Sequence, residues 1–131
     1  KKVMIMDDSI VRGNTSREIV RMLRDFGAKE VYFSVACPPV KSPCFYGVDM
    51  PTKSELIAGN MSEDEIQKHL KVDALLYQKI DDLVEAVTRK GDHHIDTPCM
   101  ACLDGNYIAN DIDDAKIAQM EAVRVNDRNG K

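Results

Sequence analysis

The sequence predicts an α/β fold in which a parallel sheet is flanked by helices. Three short apolar runs, at residues 3–6, 31–36 and 74–77, have the length and composition of buried strands. Between these runs, apolar residues recur at helical spacing, so strands and helices alternate along the chain. This alternation indicates parallel strands that are joined by helical crossovers.

The first predicted strand ends in two acidic residues. Its four consecutive apolar residues, 3–6, are typical of a strand that is buried on both faces. Asp7 and Asp8 follow at the point where such a strand leaves the sheet. A short loop that contains Gly13 and several small polar side chains then leads into a helix.

A helix is predicted from Thr15, where apolar residues begin to recur three or four positions apart. Thr15 and Glu18 have the spacing of a capping box, in which the two side chains cap the first turn. Gly27 is predicted to end this helix. The predicted apolar positions are Ile19, Met22, Leu23 and Phe26.

The second strand, at residues 31–36, is followed by an irregular segment. Residues 37–51 contain four prolines and no regular pattern, so they are predicted to form a loop over the site edge. Two short helices are predicted next, at 53–58 and 63–70. Each of them starts with the spacing of a capping box, as in Thr52-x-x-Glu55 and Ser62-x-x-Glu65.

The remaining elements are predicted from weaker patterns. A helix is predicted over 81–88 after the third strand, and the polar residues 89–98 are predicted to be mobile. An edge strand is predicted at 106–109, and a terminal helix with a thin apolar stripe over 113–125.

The first strand and the loop after it have the layout of a ligand site. In open α/β sheets, ligands bind beyond the carboxyl ends of the strands. The N-terminus of a helix presents unpaired N–H groups that suit a phosphate, and Gly13 permits close approach or a positive φ. Bare carboxylates repel phosphate, so Asp7 and Asp8 fit sugar hydroxyls or a divalent metal ion. A ribose 5-phosphate satisfies both requirements.

Residues 3–16 resemble the phosphoribosyl pyrophosphate (PRPP) motif of type I phosphoribosyltransferases, in which four apolar residues and two acids precede Ser-x-x-x-Gly-x-Thr. The fuller string Asp-Asp-Ser-Ile-Val-Arg-Gly-Asn-Thr-Ser at 7–16 is similar to the amidophosphoribosyltransferases, glutamine-dependent enzymes that open de novo purine synthesis. Residues 37–52 resemble the same family, so the resemblance covers most of the chain.

The resemblance implies a type I phosphoribosyltransferase-like fold that is incomplete here. Residues 1–110 would be the C-terminal part of that domain, and 111–131 a C-terminal helix and tail. In the family, an N-terminal glutaminase domain and half of the transferase domain precede the motif. The implied reaction transfers ammonia from glutamine to PRPP and gives 5-phosphoribosylamine, pyrophosphate and glutamate. This chain alone is expected to be inactive.

The resemblance also assigns roles within the motif. Asp7 and Asp8 would hold the ribose hydroxyls and Mg²⁺, the loop would cradle the 5-phosphate, and no catalytic side chain is assigned. Purine nucleoside monophosphates would inhibit by sharing the loop, and the intact enzyme would be a homo-oligomer. The implied PRPP-binding residues are Asp7, Asp8, Ser9, Ile10, Val11, Arg12, Gly13, Asn14, Thr15 and Ser16.

Four cysteines form a second candidate constellation. Taken alone, the pair Cys99-x-x-Cys102 is compatible with zinc, a redox dithiol, iron–sulfur ligation or chance. Some amidophosphoribosyltransferases carry a 4Fe-4S cluster, and Cys44, Cys99 and Cys102 match three of its ligand positions. The fourth ligand lies upstream in the family. Cys37 has no such match and is predicted to be a small buried residue.

A response-regulator receiver domain is the alternative, because a buried strand followed by two acids also occurs there. Its phosphorylated aspartate would be Asp49. That residue should end an apolar strand, but it follows a segment that is interrupted by Pro43 and Gly47. The alternative is therefore the less favoured interpretation.

Composition excludes several other functions. The chain has 18 Lys and Arg against 22 Asp and Glu, a formal net charge of −4, and no clustered basic face that would indicate nucleic-acid binding. No apolar run reaches the length needed to cross a membrane, and no signal peptide is visible. A soluble, cytoplasmic protein is therefore predicted.

Overall fold

A three-stranded parallel sheet lies at the centre of the computed structural model, which describes residues 1–88, 95, 97–109 and 112–129. The strands are β1 (Lys2–Asp7), β2 (Glu30–Val35) and β3 (Ala74–Tyr77), in the order β1-β2-β3. Asp7 pairs with Val35 and Val35 with Tyr77, so the carboxyl ends of all three strands meet at one edge. The predicted fold class is confirmed.

Helical segments connect and follow the strands. A 3-10 turn at Lys53–Glu55 precedes the second helix, which begins at Ile57. The helices within the described residues are α1 (Asn14–Asp25), α2 (Ile57–Asn60), α3 (Glu63–Leu70), α4 (Ile80–Thr88), α5 (Ala101–Asp104) and α6 (Asp114–Asn129). None of them is both long enough and apolar enough to cross a membrane.

The core of the protein has two parts. The larger part joins one face of the sheet to α1 and α3, and its largest side chain, Phe33, is fully buried together with Ile66 and Leu70. The smaller part, which includes Val40 and Leu103, joins the segment after β2 to α5. Both parts contact the β1–α1 loop, because Ile10 belongs to the larger part and Val11 packs against the smaller part.

The prediction that β1 is buried on both faces is wrong. Met4 and Met6 are 60% and 78% exposed, whereas Ile5 packs against the larger core. β1 pairs only with β2 in the described part of the chain, and the core elements cover the face that carries Ile5. The opposite face of this edge strand is therefore open.

The helix after the loop differs from its prediction at both the start and the apolar face. Gly13 is the N-cap of α1 and gives no side-chain cap, and Glu18 accepts a hydrogen bond from Arg21, so the predicted capping box is absent. Phe26 is 91% exposed, while Val20 is buried. Met22 is exposed as well, whereas Leu23 packs against the larger core as predicted and Ile19 is half-buried.

The end of α1 agrees with the sequence. Gly27 has a φ of 85°, which is the left-handed conformation that favours glycine after a helix. The N–H of Ala28 donates to the carbonyl of Leu23 at 2.9 Å and closes the last turn. The predicted role of Gly27 is confirmed.

Downstream of β2, most predicted elements are present with altered bounds. The helix predicted at 53–58 is interrupted at Leu56, whose extended backbone separates the 3-10 turn from α2. The helix at 63–70 and its capping box, made by Ser62 and Glu65, are confirmed as α3. The strand at 74–77 is confirmed as well.

The C-terminal part contains one wrong prediction. Residues 106–109 form no strand, because their polar groups bond to the segment after β2 instead. The hydroxyl of Tyr107 donates to the carbonyl of Pro43 at 2.7 Å, and the N–H of Ala109 donates to the hydroxyl of Tyr46 at 3.0 Å. The terminal helix is confirmed as α6, whereas most of 89–98 lies outside the described residues.

Candidate functional site

The two predicted acids stand at the carboxyl end of β1. Asp7 is half-buried and Asp8 is exposed. Their carbonyls accept hydrogen bonds from the N–H groups of Ala36 and Cys37, at 3.0 and 2.9 Å. The main chain of both acids is thereby fixed to the end of β2. Ser9 donates its hydroxyl to Oδ1 of Asp8 at 3.2 Å, so this carboxylate lies beside the start of the loop.

Gly13 forms the turn between the loop and α1. Its φ is 76°, in the left-handed region, and a Cβ at this position would lie 2.7 Å from Cδ1 of Ile57. The predicted positive φ is confirmed. The close approach is to the terminal methyl group of Ile57 from α2, which would have to shift to admit a Cβ. The left-handed backbone conformation is therefore the main reason that glycine is favoured here.

The loop and the first turn of α1 form a solvent-open cavity of about 270 Å³. Its walls are six consecutive residues, 11–16. A water molecule takes up about 30 Å³ in the liquid, so a phosphate group fits this space. The N–H of Arg17 donates to the carbonyl of Gly13 at 3.0 Å, and the N–H groups before it have no acceptor within the helix. The first turn of α1 also contains no acidic residue, unlike that of α3.

The structure brings together some of the predicted site residues and separates others. Residues 11–16 line the cavity, while Asp7 and Asp8 lie at the strand end outside its walls. Ile10 is 2% exposed in the core, so only its main chain can contribute to a site. Ser16 is buried but still lines the cavity.

Arg12 forms a two-point contact with Glu55. Its Nε and Nη2 groups donate to Oε1 of Glu55 at 3.1 and 2.8 Å. The other oxygen, Oε2, accepts from the N–H and the hydroxyl of Thr52, both at 2.9 Å. The Thr52 N–H first, and then Arg12, lower the pKa of Glu55 to about 2. Glu55 is therefore ionised at neutral pH.

We call residues 52–60 the support segment, because they hold the outside of the loop. The N–H of Ile57 donates to the carbonyl of Val11 at 2.9 Å. The side-chain amide of Asn60 donates to the carbonyls of Lys53, Ser54 and Leu56, at 2.8–3.1 Å. These bonds stabilise the segment itself, so the loop rests on a fixed structure.

The four cysteines lie near one another, but in the part of the chain that the structure describes they form no three-ligand metal group. Cys44 and Cys102 are half-buried, and Cys99 is exposed. Burial raises the pKa of the Cys102 thiol, and the charges of neighbouring thiols add to this effect, which disfavours the thiolate that binds iron. Within the described residues, no three His, Cys, Asp or Glu side chains are placed to hold a metal ion. The geometry therefore gives no support to the predicted 4Fe-4S ligands. Cys37 is half-buried, close to its prediction.

Comparison with known proteins gives a consistent result, although no protein-family model matches the chain. Amidophosphoribosyltransferase of Methanocaldococcus jannaschii is 50% identical over 107 residues, which are 82% of this chain and 21% of that protein. The Pseudomonas aeruginosa amidophosphoribosyltransferase is 44% identical over 124 residues, 95% of this chain and 25% of that protein.

Two solved structures have the same fold. The glutamine PRPP amidotransferase of Bacillus subtilis, complexed with ADP and GMP, superposes with a TM-score of 0.72 at 41% identity and covers 88% of this chain. A structure described as the allosteric regulatory enzyme of purine biosynthesis gives a TM-score of 0.77, also at 41% identity, and covers 92%. The chain is homologous to a segment of the amidophosphoribosyltransferases. It spans about a fifth to a quarter of the length of these relatives.

The homology to amidophosphoribosyltransferases makes Mg²⁺ the metal to test against the two acids. Carboxylate oxygens are the ligands that Mg²⁺ prefers, and one or two of them commonly share the ion with substrate oxygens. Asp7 and Asp8 provide such oxygens at the strand end. No third acidic, His or Cys side chain joins them in the part of the chain described here, so other donors would come from a ligand or water. Asp7 and Asp8 therefore offer oxygens of the type that Mg²⁺ prefers, at the carboxyl end of β1.

The alternative site at Asp49 lacks the geometry of a receiver domain. Asp49 is exposed and lies in the irregular segment between β2 and the 3-10 turn, away from the end of any described strand. The acidic pair at β1 is held against the end of β2, where Cys37 follows instead of an acid.

Sequence reasoning missed the contribution of the support segment to the site. Thr52 and Glu55 were predicted to form a capping box, which is confirmed. Nothing in that local pattern indicates that Glu55 also binds Arg12, 43 residues away. The charge of Arg12 within a loop was the only available signal, and it did not identify the partner.

Proposed function

We propose that this chain supplies the PRPP-binding part of an amidophosphoribosyltransferase. The proposed reaction is glutamine-dependent amidotransfer to PRPP, which gives 5-phosphoribosylamine, pyrophosphate and glutamate. The observation that carries the proposal is the cavity formed by residues 11–16 directly after the acidic end of β1. The names of the homologous proteins support the same conclusion.

In this proposal, the 5-phosphate occupies the cavity. The N–H groups at the start of α1 point along the helix axis away from its body, and the helix dipole gives that end a partial positive charge. The left-handed turn at Gly13 opens the loop in front of them. Asn14 and Thr15 are exposed and can donate further hydrogen bonds, whereas Ile10 contributes its main chain only.

The ribose then extends toward the acids at the end of β1. Asp7 and Asp8 would accept hydrogen bonds from the two ribose hydroxyls and would be the residues that hold Mg²⁺. A bound Mg²⁺ would supply positive charge against the negative charge of the diphosphate leaving group. Because transfer at the anomeric carbon depends mainly on positioning and charge stabilisation, these residues hold the sugar without acting as acid or base.

Several further assignments rest on the same homology. Ammonia would come from a glutaminase domain of the whole enzyme, so the chain alone would be inactive. A purine nucleoside monophosphate would occupy the loop as an inhibitor, in keeping with the GMP named for the Bacillus subtilis structure. A cytoplasmic location, a homo-oligomeric enzyme and 4Fe-4S ligation by Cys44, Cys99 and Cys102 remain predictions.

Binding of ribose 5-phosphate tests the proposal, because the loop and both acids are on this chain. We expect amide shifts at residues 11–16 in NMR titrations, and weaker binding by Asp8→Asn when Mg²⁺ is present. Asp25→Asn, a change at the far end of α1, is the control and should bind like the wild type. Shifts confined to any other surface would refute the proposal.

A further inference from the structure

We propose that Glu55 is a positioning residue for the phosphate-binding loop and that it acts through Arg12. The inference rests on the proposed function of residues 11–16. Glu55 does not line the cavity, but its contact with Arg12 and the adjoining contact with Val11 join the support segment to two of the cavity walls.

The contact leaves part of Arg12 available to a ligand. Nε and Nη2 are bound to Glu55, whereas Nη1 forms no hydrogen bond within the described part of the chain. The Arg12 side chain is 44% exposed and lines the cavity. Because the guanidinium group is planar and rigid, fixing two of its nitrogens also fixes the third. A phosphate oxygen can therefore bind Nη1 while the contact with Glu55 stays intact.

Glu55 is itself held in place, which a positioning residue requires. One of its oxygens serves Arg12, and the other accepts two hydrogen bonds from Thr52, which is 4% exposed. A carboxylate that is fixed on one side can order a long arginine side chain on the other. Arginine loses much rotamer freedom when it is ordered, so an arginine that is ordered before binding loses less on binding a ligand.

A second contact connects the same segment to the loop backbone. The N–H of Ile57 donates to the carbonyl of Val11, and the Ile57 side chain lies against Gly13. Loss of the Glu55 carboxylate would therefore free the Arg12 side chain first. It would then weaken the support of the loop backbone that the same segment provides. The expected consequence is weaker phosphate binding without loss of the fold.

The experiment compares Glu55→Gln with Glu65→Gln in the 131-residue chain. Both residues complete capping boxes, since Glu65 accepts from the N–H and hydroxyl of Ser62 at 2.8 and 2.9 Å. Among the described residues, only Glu55 of these two binds an arginine of the loop. The probe is ribose 5-phosphate with Mg²⁺, titrated by NMR. We expect about tenfold weaker binding for Glu55→Gln and a change below about twofold for Glu65→Gln.

A second readout follows the contact itself. The Nε–H signal of Arg12 should exchange slowly with solvent in the wild type and rapidly in Glu55→Gln. Arg12→Gln should weaken binding at least as much as Glu55→Gln, because it also removes the contact from Nη1. The double variant should be no weaker than Arg12→Gln alone, because Glu55 acts through the arginine. Arg12→Gln also leaves the capping box intact, so it provides the test if Glu55→Gln fails to fold.

The outcomes separate this inference from the proposed function. If the wild type binds and Glu55→Gln binds equally well, the positioning role is wrong and the proposed function stands. If the wild type gives no shifts at 11–16, the proposed function is wrong and the positioning role is wrong with it. If Glu55→Gln and Glu65→Gln lose equal affinity for ribose 5-phosphate, Glu55 only caps its turn and the positioning role is wrong.

Discussion

Replacing Gly13 by alanine tests the geometry of the loop most directly. At a φ of 76°, a residue with a Cβ destabilises the folded state by about 1–2 kcal/mol. The new Cβ would also lie 2.7 Å from Cδ1 of Ile57, the end of a buried side chain that would have to shift. Turning that side chain off its rotamer costs about 0.5–1.5 kcal/mol. We therefore expect Gly13→Ala to lower the free energy of unfolding by about 1.5–3.5 kcal/mol.

Urea unfolding at pH 7, followed by circular dichroism, measures this loss. Gly27→Ala is the matched control, because its φ is 85° but nothing lies within 4 Å of the new Cβ, so only about 1–2 kcal/mol should be lost. Adding Ile57→Val removes Cδ1. In the Ile57→Val background, Gly13→Ala should lower the free energy of unfolding by no more than Gly27→Ala does in the wild type. If the single Gly13 and Gly27 variants lose equal stability, the contact with Ile57 does not constrain the loop.

Three further predictions concern stability. The pKa of Glu55 is lowered from 4.5 to about 2 in the folded state, so its ionised carboxylate stabilises the fold at neutral pH. In urea unfolding, the wild type should therefore have a higher free energy of unfolding than Glu55→Gln above about pH 5. This difference should decline as the pH falls toward about 2. The hydroxyl of Tyr77 is buried without a partner among the described residues, so Tyr77→Phe should leave the melting temperature unchanged or raise it, and a clear decrease would contradict this. Ser62→Ala should cost about 1 kcal/mol in the same unfolding assay, because it removes the N-cap of α3, and no loss would mean that the cap is not needed.

The sequence predicted local structure well where a pattern depends only on neighbouring residues. Gly27 ends α1, and Ser62 caps α3, because both signals lie within a few residues of the feature that they predict. Burial depends on what the rest of the fold covers. Met6 and Phe26 were therefore misjudged, since an apolar side chain does not reveal whether another element packs on it.

The candidate site was predicted to a similar extent. The strand end, the acids and the left-handed Gly13 follow from one short motif, so they could be predicted together. The capping box at Thr15 and Glu18 could not be excluded from spacing alone, because Gly13 takes the N-cap position and places the helix start one residue earlier. The pairing of Arg12 with Glu55 depends on how distant segments pack, which no local pattern contains.

The pairing of β1 with β2 has a consequence for the two aspartates. Side chains alternate between the faces of a strand, so a shift of one residue would exchange the surroundings of neighbouring positions. In the observed alignment, Asp7 is the half-buried carboxylate and Asp8 the exposed one, and hydrogen bonds from Ala36 and Cys37 continue that alignment past the last paired residues. The alignment of β1 with β2 therefore decides which aspartate is half-buried and which is exposed, and it does so without a ligand.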